Sequence, residues 1–368
     1  VNTKSQGITT VASRTRENGF IMPARNTAIS PDAVEIVGRG QRITKLLAVE
    51  VCAGAGGQAI GLERAGFGHV ALIENDRWAC ETLRTNRPGW KIAEQDVRLV
   101  DGTAFTGIDL LAGGVPCPPF SMAGKQLGAD DDRDLFPEMI RLAAEAGPRA
   151  VMIENVRGIL SKRFDGYRDD ICSAFEQLGY SVFPFRLLQA SDFGVPQLRQ
   201  RAVFVAIKAP WSDSFSWPEM SRRRPKTVGE TLRASVSVDG WEGANAWADQ
   251  ADRIAPTLCG GSKLHGGPDL GPTRARSAWA EIQVDGLVLA NEPPKSGHKG
   301  PIRLTVEMTA LLQGFPKSWQ FQGPKTHRYR QVGNAFPPPV ARAVGKAIKT
   351  ALDSAATSRV PAARSRRR

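Results

Sequence analysis

Leu46-Leu47-Ala48-Val49-Glu50-Val51-Cys52-Ala53-Gly54-Ala55-Gly56-Gly57-Gln58-Ala59-Ile60-Gly61-Leu62 begins as an apolar run, passes through a glycine-rich turn and continues with helical spacing. A nearly continuous apolar run is what a strand covered on both faces requires. The glycines let the backbone approach a ligand closely where a helix starts. Gly54-x-Gly56-x-x-Ala59 fits the dinucleotide fingerprint, and Glu74 follows Gly54 by about 20 residues, where a ribose-binding acid stands. Nicotinamide dinucleotides and S-adenosylmethionine both carry that ribose, so this stretch leaves both open, beside a purely structural turn.

The same alternation repeats downstream. Apolar runs occur at Leu46–Val51, Val70–Ile73, Lys91–Ala93, Asp109–Ala112, Ala150–Ile153, Val182–Leu187 and Ala202–Ile207. Amphipathic stretches lie between them near Gln58–Ala65, Arg77–Asn86, Leu135–Ala146 and Tyr167–Leu178. This pattern predicts an α/β protein with a doubly wound, mostly parallel sheet. After Lys208 the rhythm stops, and residues 210–300 are rich in Trp, Pro, Gly and Arg, as in a second, smaller, irregular domain. Helical spacing returns at Thr305–Leu312 and Val340–Leu352.

With 368 residues the chain can bury a core without staples. Its 49 Lys and Arg outnumber its 37 Asp and Glu, a formal net charge of +12. Such a surplus suits a polyanionic partner, because cations that neutralise phosphates release condensed counterions. The five cysteines, Cys52, Cys80, Cys117, Cys172 and Cys259, are far apart, and the four His are scattered. That argues against a disulfide frame and shows no zinc spacing, so no metal is expected. No apolar run is long enough for a bilayer, and the first residues lack a signal-peptide stretch. The expectation is a soluble, cytoplasmic protein without a membrane partner.

Ligands of open parallel sheets bind beyond the carboxyl ends of the strands. Behind the first run stands the glycine turn, behind the second Glu74 and Asn75, behind the third Asp96, behind the fourth Pro116-Cys117-Pro118-Pro119, and the fifth ends in Glu154-Asn155-Val156. The unusual polar residues therefore collect on one rim. Asp96 suits an adenine amino group or a helix cap equally. Prolines on both sides of Cys117 keep it out of a strand or helix interior, and a rigid rim loop can present a thiolate; the alternative is a small buried hydrophobe. Glu154, at the end of an apolar run, should be desolvated, and the raised pKa that follows suits a proton donor. Gln197-x-Arg199-x-Arg201 sets two guanidiniums on one strand face, to clamp a substrate oxygen or to neutralise neighbouring acids.

Taken in order, Ala53-Gly54-Ala55-Gly56-Gly57, Gly113-Gly114-Val115-Pro116-Cys117-Pro118-Pro119-Phe120-Ser121, Glu154-Asn155-Val156, Gln197-x-Arg199-x-Arg201, Leu312-Gln313-Gly314-Phe315-Pro316 and Gln331-Val332-Gly333-Asn334-Ala335 resemble the motifs of the DNA cytosine-5 methyltransferases of bacteria and phages, from about Leu46 to Leu352. The resemblance implies the Rossmann-like fold of S-adenosylmethionine-dependent methyltransferases with a smaller target-recognition domain. It implies methyl transfer from S-adenosyl-L-methionine to C5 of a cytosine flipped out of double-stranded DNA, with S-adenosyl-L-homocysteine as product and no metal. Thiolate addition at C6 would make C5 nucleophilic, and a stacked base must leave the duplex for a side chain to reach it.

Within that resemblance Cys117 attacks C6, Glu154 acts at N3, Arg201 holds O2 and Arg199 supports the pocket. Ala53, Gly54, Gly56, Gly57, Glu74, Asn75, Asp96, Pro116, Asn334 and Ala335 fall on the donor, Glu74 at its ribose and Asp96 at its adenine. Ser121, Asn155 and Gln197 fall on the DNA. The implied division is a polar, disordered arm at 1–43, a catalytic and cofactor-binding domain at 44–209, target recognition at 210–326, a return to the first domain at 327–353, and a basic tail at 354–368. A cognate restriction endonuclease is the expected protein partner, and a monomer suffices for the chemistry.

The chain departs from the family at Cys52 and Asn75, where an aromatic and a bulky apolar residue usually wall the adenine, and Trp78 is the candidate substitute. It also reads Glu307-Met308 where the family carries Arg-Glu. Lys263 and His265 in a glycine-rich loop, with Arg274 and Arg276 after it, are candidates for contact with base edges or phosphates; a plain surface loop is the alternative. The rival functions are a tRNA cytosine-5 methyltransferase and a non-catalytic DNA-binding relative. A nicotinamide dehydrogenase would not need the proline-flanked Cys, Glu-Asn-Val and Gln-x-Arg-x-Arg together.

Overall fold

The computed structural model describes residues 34–35, 43–116, 134–261 and 267–357. A short antiparallel pair, β1 (Val34–Glu35) and β2 (Ile43–Thr44), comes first. Part of the expected disordered arm is thus a strand, in keeping with the strand preference of Val.

The centre is a seven-stranded sheet of β3 (Leu46–Val51), β4 (Phe67–Glu74), β5 (Ile92–Glu94), β6 (Leu110–Gly113), β7 (Ala150–Val156), β8 (Tyr180–Gln189) and β9 (Gln200–Lys208), in the spatial order β5-β4-β3-β6-β7-β9-β8. Neighbours are parallel from β5 through β7, whereas β9 runs antiparallel to both β7 and β8. Strands β3, β6 and β7 are buried almost throughout because helices cover both faces, so apolar residues run without alternation. At the edge, β8 mixes buried and exposed positions.

The helices between the strands are α1 (Gly57–Ala65), α2 (Arg77–Asn86), α3 (Phe136–Ala146) and α4 (Asp165–Gln177). Beyond β9 follow α5 (Val228–Val236), α6 (Ala244–Gln250), α7 (Thr273–Ala280), α8 (Val306–Leu312), α9 (Lys325–Asn334) and α10 (Pro338–Thr357). One sheet face packs Val49, Ile73, Leu111 and Ile153 against Phe136, Met139 and Phe175 of α3 and α4. The other packs Ala48, Leu110, Met152 and Val205 against Val344 and Ile348 of α10. Helix α10 runs to Thr357, so the tail placed at 354–368 begins as helix, as its Ala355-Ala356 pair favours.

Among the described residues of 210–326 there is no strand beyond isolated bridges, in agreement with their lost alternation. Their core is aromatic: Trp241, Trp247 and Trp279 share a cluster with Trp319, and that cluster continues into Ile60 of α1 and Leu83 of α2. Buried indoles need partners, and Trp241 and Trp247 each donate at 3.0 Å, to the carbonyls of His298 and Gln283.

Candidate active site

A cavity of about 280 Å³ opens at the carboxyl ends of β3 and β4. One wall carries Glu50, Ala53, Gly54, Gly57, Gln58, Glu74, Asn75 and Glu154, and the other His327, Arg330, Gln331, Asn334 and Ala335. The rim prediction thus brings together residues nearly three hundred positions apart.

The glycine turn has two separate reasons for glycine. At Gly54 the backbone is left-handed (φ 54°), and a Cβ there would meet nothing within 4 Å, so the space above it is free for a ligand. At Gly57, the first residue of α1, a Cβ would lie 2.4 Å from the Phe336 carbonyl oxygen, so glycine is what lets the distant second wall close in. Glu74 holds the turn from below. Its carboxylate accepts from the backbone N–H of Gly54 (2.8 Å), Asn75 (2.8 Å) and Asp76 (2.7 Å). Burial pushes its pKa up, and those three donors oppose the rise. Gly56 (φ 85°) caps α1 and faces Leu83 and Trp319 instead of the cavity. The Trp319 indole donates to the Ala55 carbonyl at 3.1 Å, a support absent from the sequence reading.

Glu154 marks the other end. It is buried, and Arg201 Nε lies 2.8 Å from its Oε1. Burial pushes the Glu154 carboxyl up, with Arg201 and Arg199 pulling in the opposite direction. Next to it, Asn155 donates from Nδ2 to the Val115 carbonyl at 3.0 Å. That bond ties the end of β7 to the segment that leads into Cys117. Cys117 and Ser121 lie outside the described residues, as do Lys263 and His265. Burial pushes the thiols of Cys52 and Cys80 up, Cys80 to about 12, which disfavours their thiolate forms.

Several sequence expectations change. Asn155 and Gln197, expected against DNA, are buried. Gln197 donates to the Leu312 carbonyl (3.2 Å) and to Gln313 Oε1 (2.6 Å) and accepts from the Leu258 N–H (3.0 Å), so its amide is spent inside the protein. Arg199, expected to support the pocket of Arg201, is fully buried. It donates to the carbonyls of Leu258 (2.8 Å), Gly333 (2.7 Å) and Ala335 (3.0 Å) and so clips the second wall to the sheet. Asp96 caps a short turn and pairs with Arg98 at 3.0 Å, outside the residues lining the cavity. Pro116 and Gly56 do not line it either. Trp78 packs on Gly323 and His327, and His327 is the ring that reaches the cavity. Arg276 is half-buried and Arg274 exposed on α7. Glu307 pairs with Arg328 at 3.2 Å, joining α8 to α9.

Glu50, Gln58, His327 and Arg330 line the cavity but escaped the sequence reading. Two signals could have found them. Glu50 is an acid inside an apolar strand. His327, Arg330, Gln331 and Asn334 follow the spacing of one helix face.

A Rossmann-like sheet with a reversed strand beside its far edge, and a glycine-lined cavity at its carboxyl rim, fit an α/β methyltransferase fold. The chain belongs to the C-5 cytosine-specific DNA methylases, whose family description matches residues 46–350. It is 54% identical over 313 residues to Type II methyltransferase M.NgoMIV of Neisseria gonorrhoeae, covering 83% of this chain and 97% of that protein. It is 54% identical over 312 residues to Type II methyltransferase M.NaeI of Lentzea aerocolonigenes, covering 83% of this chain and 75% of that one. Among solved structures, a DNA modification methyltransferase encoded within an Escherichia coli prophage superposes with a TM-score of 0.62 at 23% identity, over 84% of this chain and 99% of that one. The S. pombe Dnmt2 methyltransferase gives 0.54 at 18%, over 85% and 99%. At these identities the two structures bear on the fold alone.

Proposed function

We propose that the protein transfers a methyl group from S-adenosyl-L-methionine to C5 of a flipped-out cytosine in a specific duplex DNA site, with Cys117 as nucleophile. The observation that carries this reading is the buried Glu154–Arg201 pair at the edge of the cavity, with Asn155 anchoring the segment that leads to Cys117.

The cavity's chemistry fits the donor. Free space over Gly54 admits a ligand, and the buried side chains of Glu50 and Gln58 line the same cavity with polar groups. Ala53, Gly54, Gly57, Glu74, Asn75, Asn334 and Ala335 would hold it, with Gly56 shaping the turn. When bound, the donor supplies an electrophilic methyl group on a sulfonium.

The chain's own residues would do the rest. The Cys117 thiolate forms a bond to C6 while Glu154 donates a proton or hydrogen bond at N3, so that the ring electrons move to C5. Burial raises the Glu154 pKa, which favours proton donation at N3. The Arg201 guanidinium, already oriented by Glu154, would hold O2. After methylation the C5 proton leaves and the C6–S bond breaks, which returns the thiolate. We assign target recognition to residues 210–326, with Arg274, Arg276, Lys263, His265 and Ser121 toward DNA, and a cognate endonuclease as partner, in line with the Type II relatives.

The test uses DNA containing 5-fluorocytosine with labelled S-adenosylmethionine. Fluorine blocks the final elimination, so a denaturant-stable complex should form and should vanish in Cys117→Ser. An adduct on tRNA alone would replace the DNA reading, and tight DNA binding without any adduct would leave a binding protein.

A further inference from the structure

We propose that Arg222 and Arg223 form a ridge that grips the phosphate backbone of duplex DNA beside the target base, an assignment that rests on the DNA reading above. Both are exposed and, among the described residues, neither forms an ion pair. Their neighbour Arg224 is committed instead: its guanidinium holds Glu230 through both terminal nitrogens, at 2.8 and 2.5 Å. Glu230 in turn closes the capping box of α5 with Thr227. One arginine therefore fixes the segment to a helix while the two before it keep their charge free.

The ridge is tied to the catalytic rim. The Ser221 N–H donates to the Asp192 carbonyl at 2.7 Å, and Ser221 Oγ accepts from the Arg223 N–H at 3.1 Å. Asp192 stands just past the end of β8, where Leu188 pairs with Arg201 and Gln189 with Gln200. Arg201 holds Glu154 at 2.8 Å. The path from ridge to proton donor is thus a few residues of hydrogen-bonded backbone on one edge of the sheet. A groove lined by Ser191, Asp192 and Met220 runs along the three arginines. Asp192, Glu219, Glu230 and Asp252 are acids of this region, and among the described residues none of them pairs with Arg222 or Arg223. Free guanidiniums on a net-basic chain, next to where a base must enter, match the repeating charge of a phosphodiester backbone. Contacts of that kind position a duplex without reading its sequence.

The experiment measures binding of a random-sequence 30-base-pair duplex, with S-adenosylhomocysteine present, by fluorescence anisotropy across a salt series. For Arg222→Ala/Arg223→Ala the slope of log affinity against log salt should become shallower by about 1.8, since each phosphate contact contributes about 0.9. Affinity near 0.1 M salt should fall by roughly tenfold or more, while S-adenosylhomocysteine affinity stays unchanged. Arg253→Ala removes an exposed charge that is paired with Glu281, and should leave the slope as it is. A slope unchanged in the double variant, or changed equally in Arg253→Ala, overturns the ridge. A wild-type protein that does not bind duplex at all overturns the DNA reading itself.

Discussion

The two walls of the cavity are built in opposite ways. Apart from Glu154, the first is local: strand ends, the left-handed Gly54 and the Glu74 carboxylate make its shape from residues close in sequence. The second, from His327 to Phe336, hangs on long-range hydrogen bonds. Arg199 grips Gly333 and Ala335, Gln313 Nε2 donates to the Ala335 carbonyl at 2.6 Å, and Thr82 donates to Gln331 at 2.6 Å. A local wall survives the loss of one contact. A wall held by a buried guanidinium is weakened with it, because the Leu258 and Gly333 carbonyls left behind are buried and unsatisfied.

That contrast breaks if Arg199 proves dispensable. Arg199→Ala should cost about 2–5 kcal/mol in urea unfolding, from the stranded Leu258 and Gly333 carbonyls at about 1–3 kcal/mol each, since the Ala335 carbonyl keeps its bond from Gln313. Donor affinity should fall at least about tenfold, and Arg199→Lys should recover part of both. The next effect separates the walls from the chemistry. Asn155→Ala frees the Val115 carbonyl, so kcat should drop on the order of tenfold to a hundredfold through misplacement of the Cys117 segment, with donor Kd unchanged by calorimetry.

A matched glycine pair sharpens the comparison. Gly57→Ala thrusts a methyl against the Phe336 carbonyl of the second wall and should cost about 1–3 kcal/mol. Gly54→Ala meets open space and pays only for its left-handed backbone, about 1 kcal/mol. Thermal melts of the ligand-free proteins that reverse this order would mean the two walls are not held as described.

The smallest effect concerns Glu50 in the first wall. Burial raises its pKa well above the usual carboxyl value. Protonated Glu50 contributes fully below the unfolded pKa, and that contribution is lost as pH rises through the folded value. Glu50→Gln lacks this penalty. Its Tm relative to wild type should therefore climb between pH 5 and pH 8, by about 2–4 °C; a constant difference would show that Glu50 titrates normally.

Much of the first wall was legible. Leu46–Val51 announced its strand by being apolar at every position but Glu50, and Glu74 stood out by its distance from the glycines. Glu154 could be placed at a strand end by the run before it. Arg199 could not be separated from Arg201, because alternate positions on a strand share a face. Which of the two meets Glu154 and which is swallowed by carbonyls depends on residues 258 and 333–335 folding over that face. For the same reason the resemblance puts Asn155 and Gln197 on the DNA: sequence shows an amide's donors and acceptors but not the partners that use them.

Sequence alone determined the alternation of strand and helix, the glycine turn, the shared rim of polar residues and the family they resemble, since these follow from periodicity and backbone chemistry over short spans. Only the tertiary structure decided which polar side chains face the cavity and which are spent holding it together. Hydrogen-bond satisfaction is settled by whichever distant segment arrives to meet each group, and no local pattern encodes that arrival.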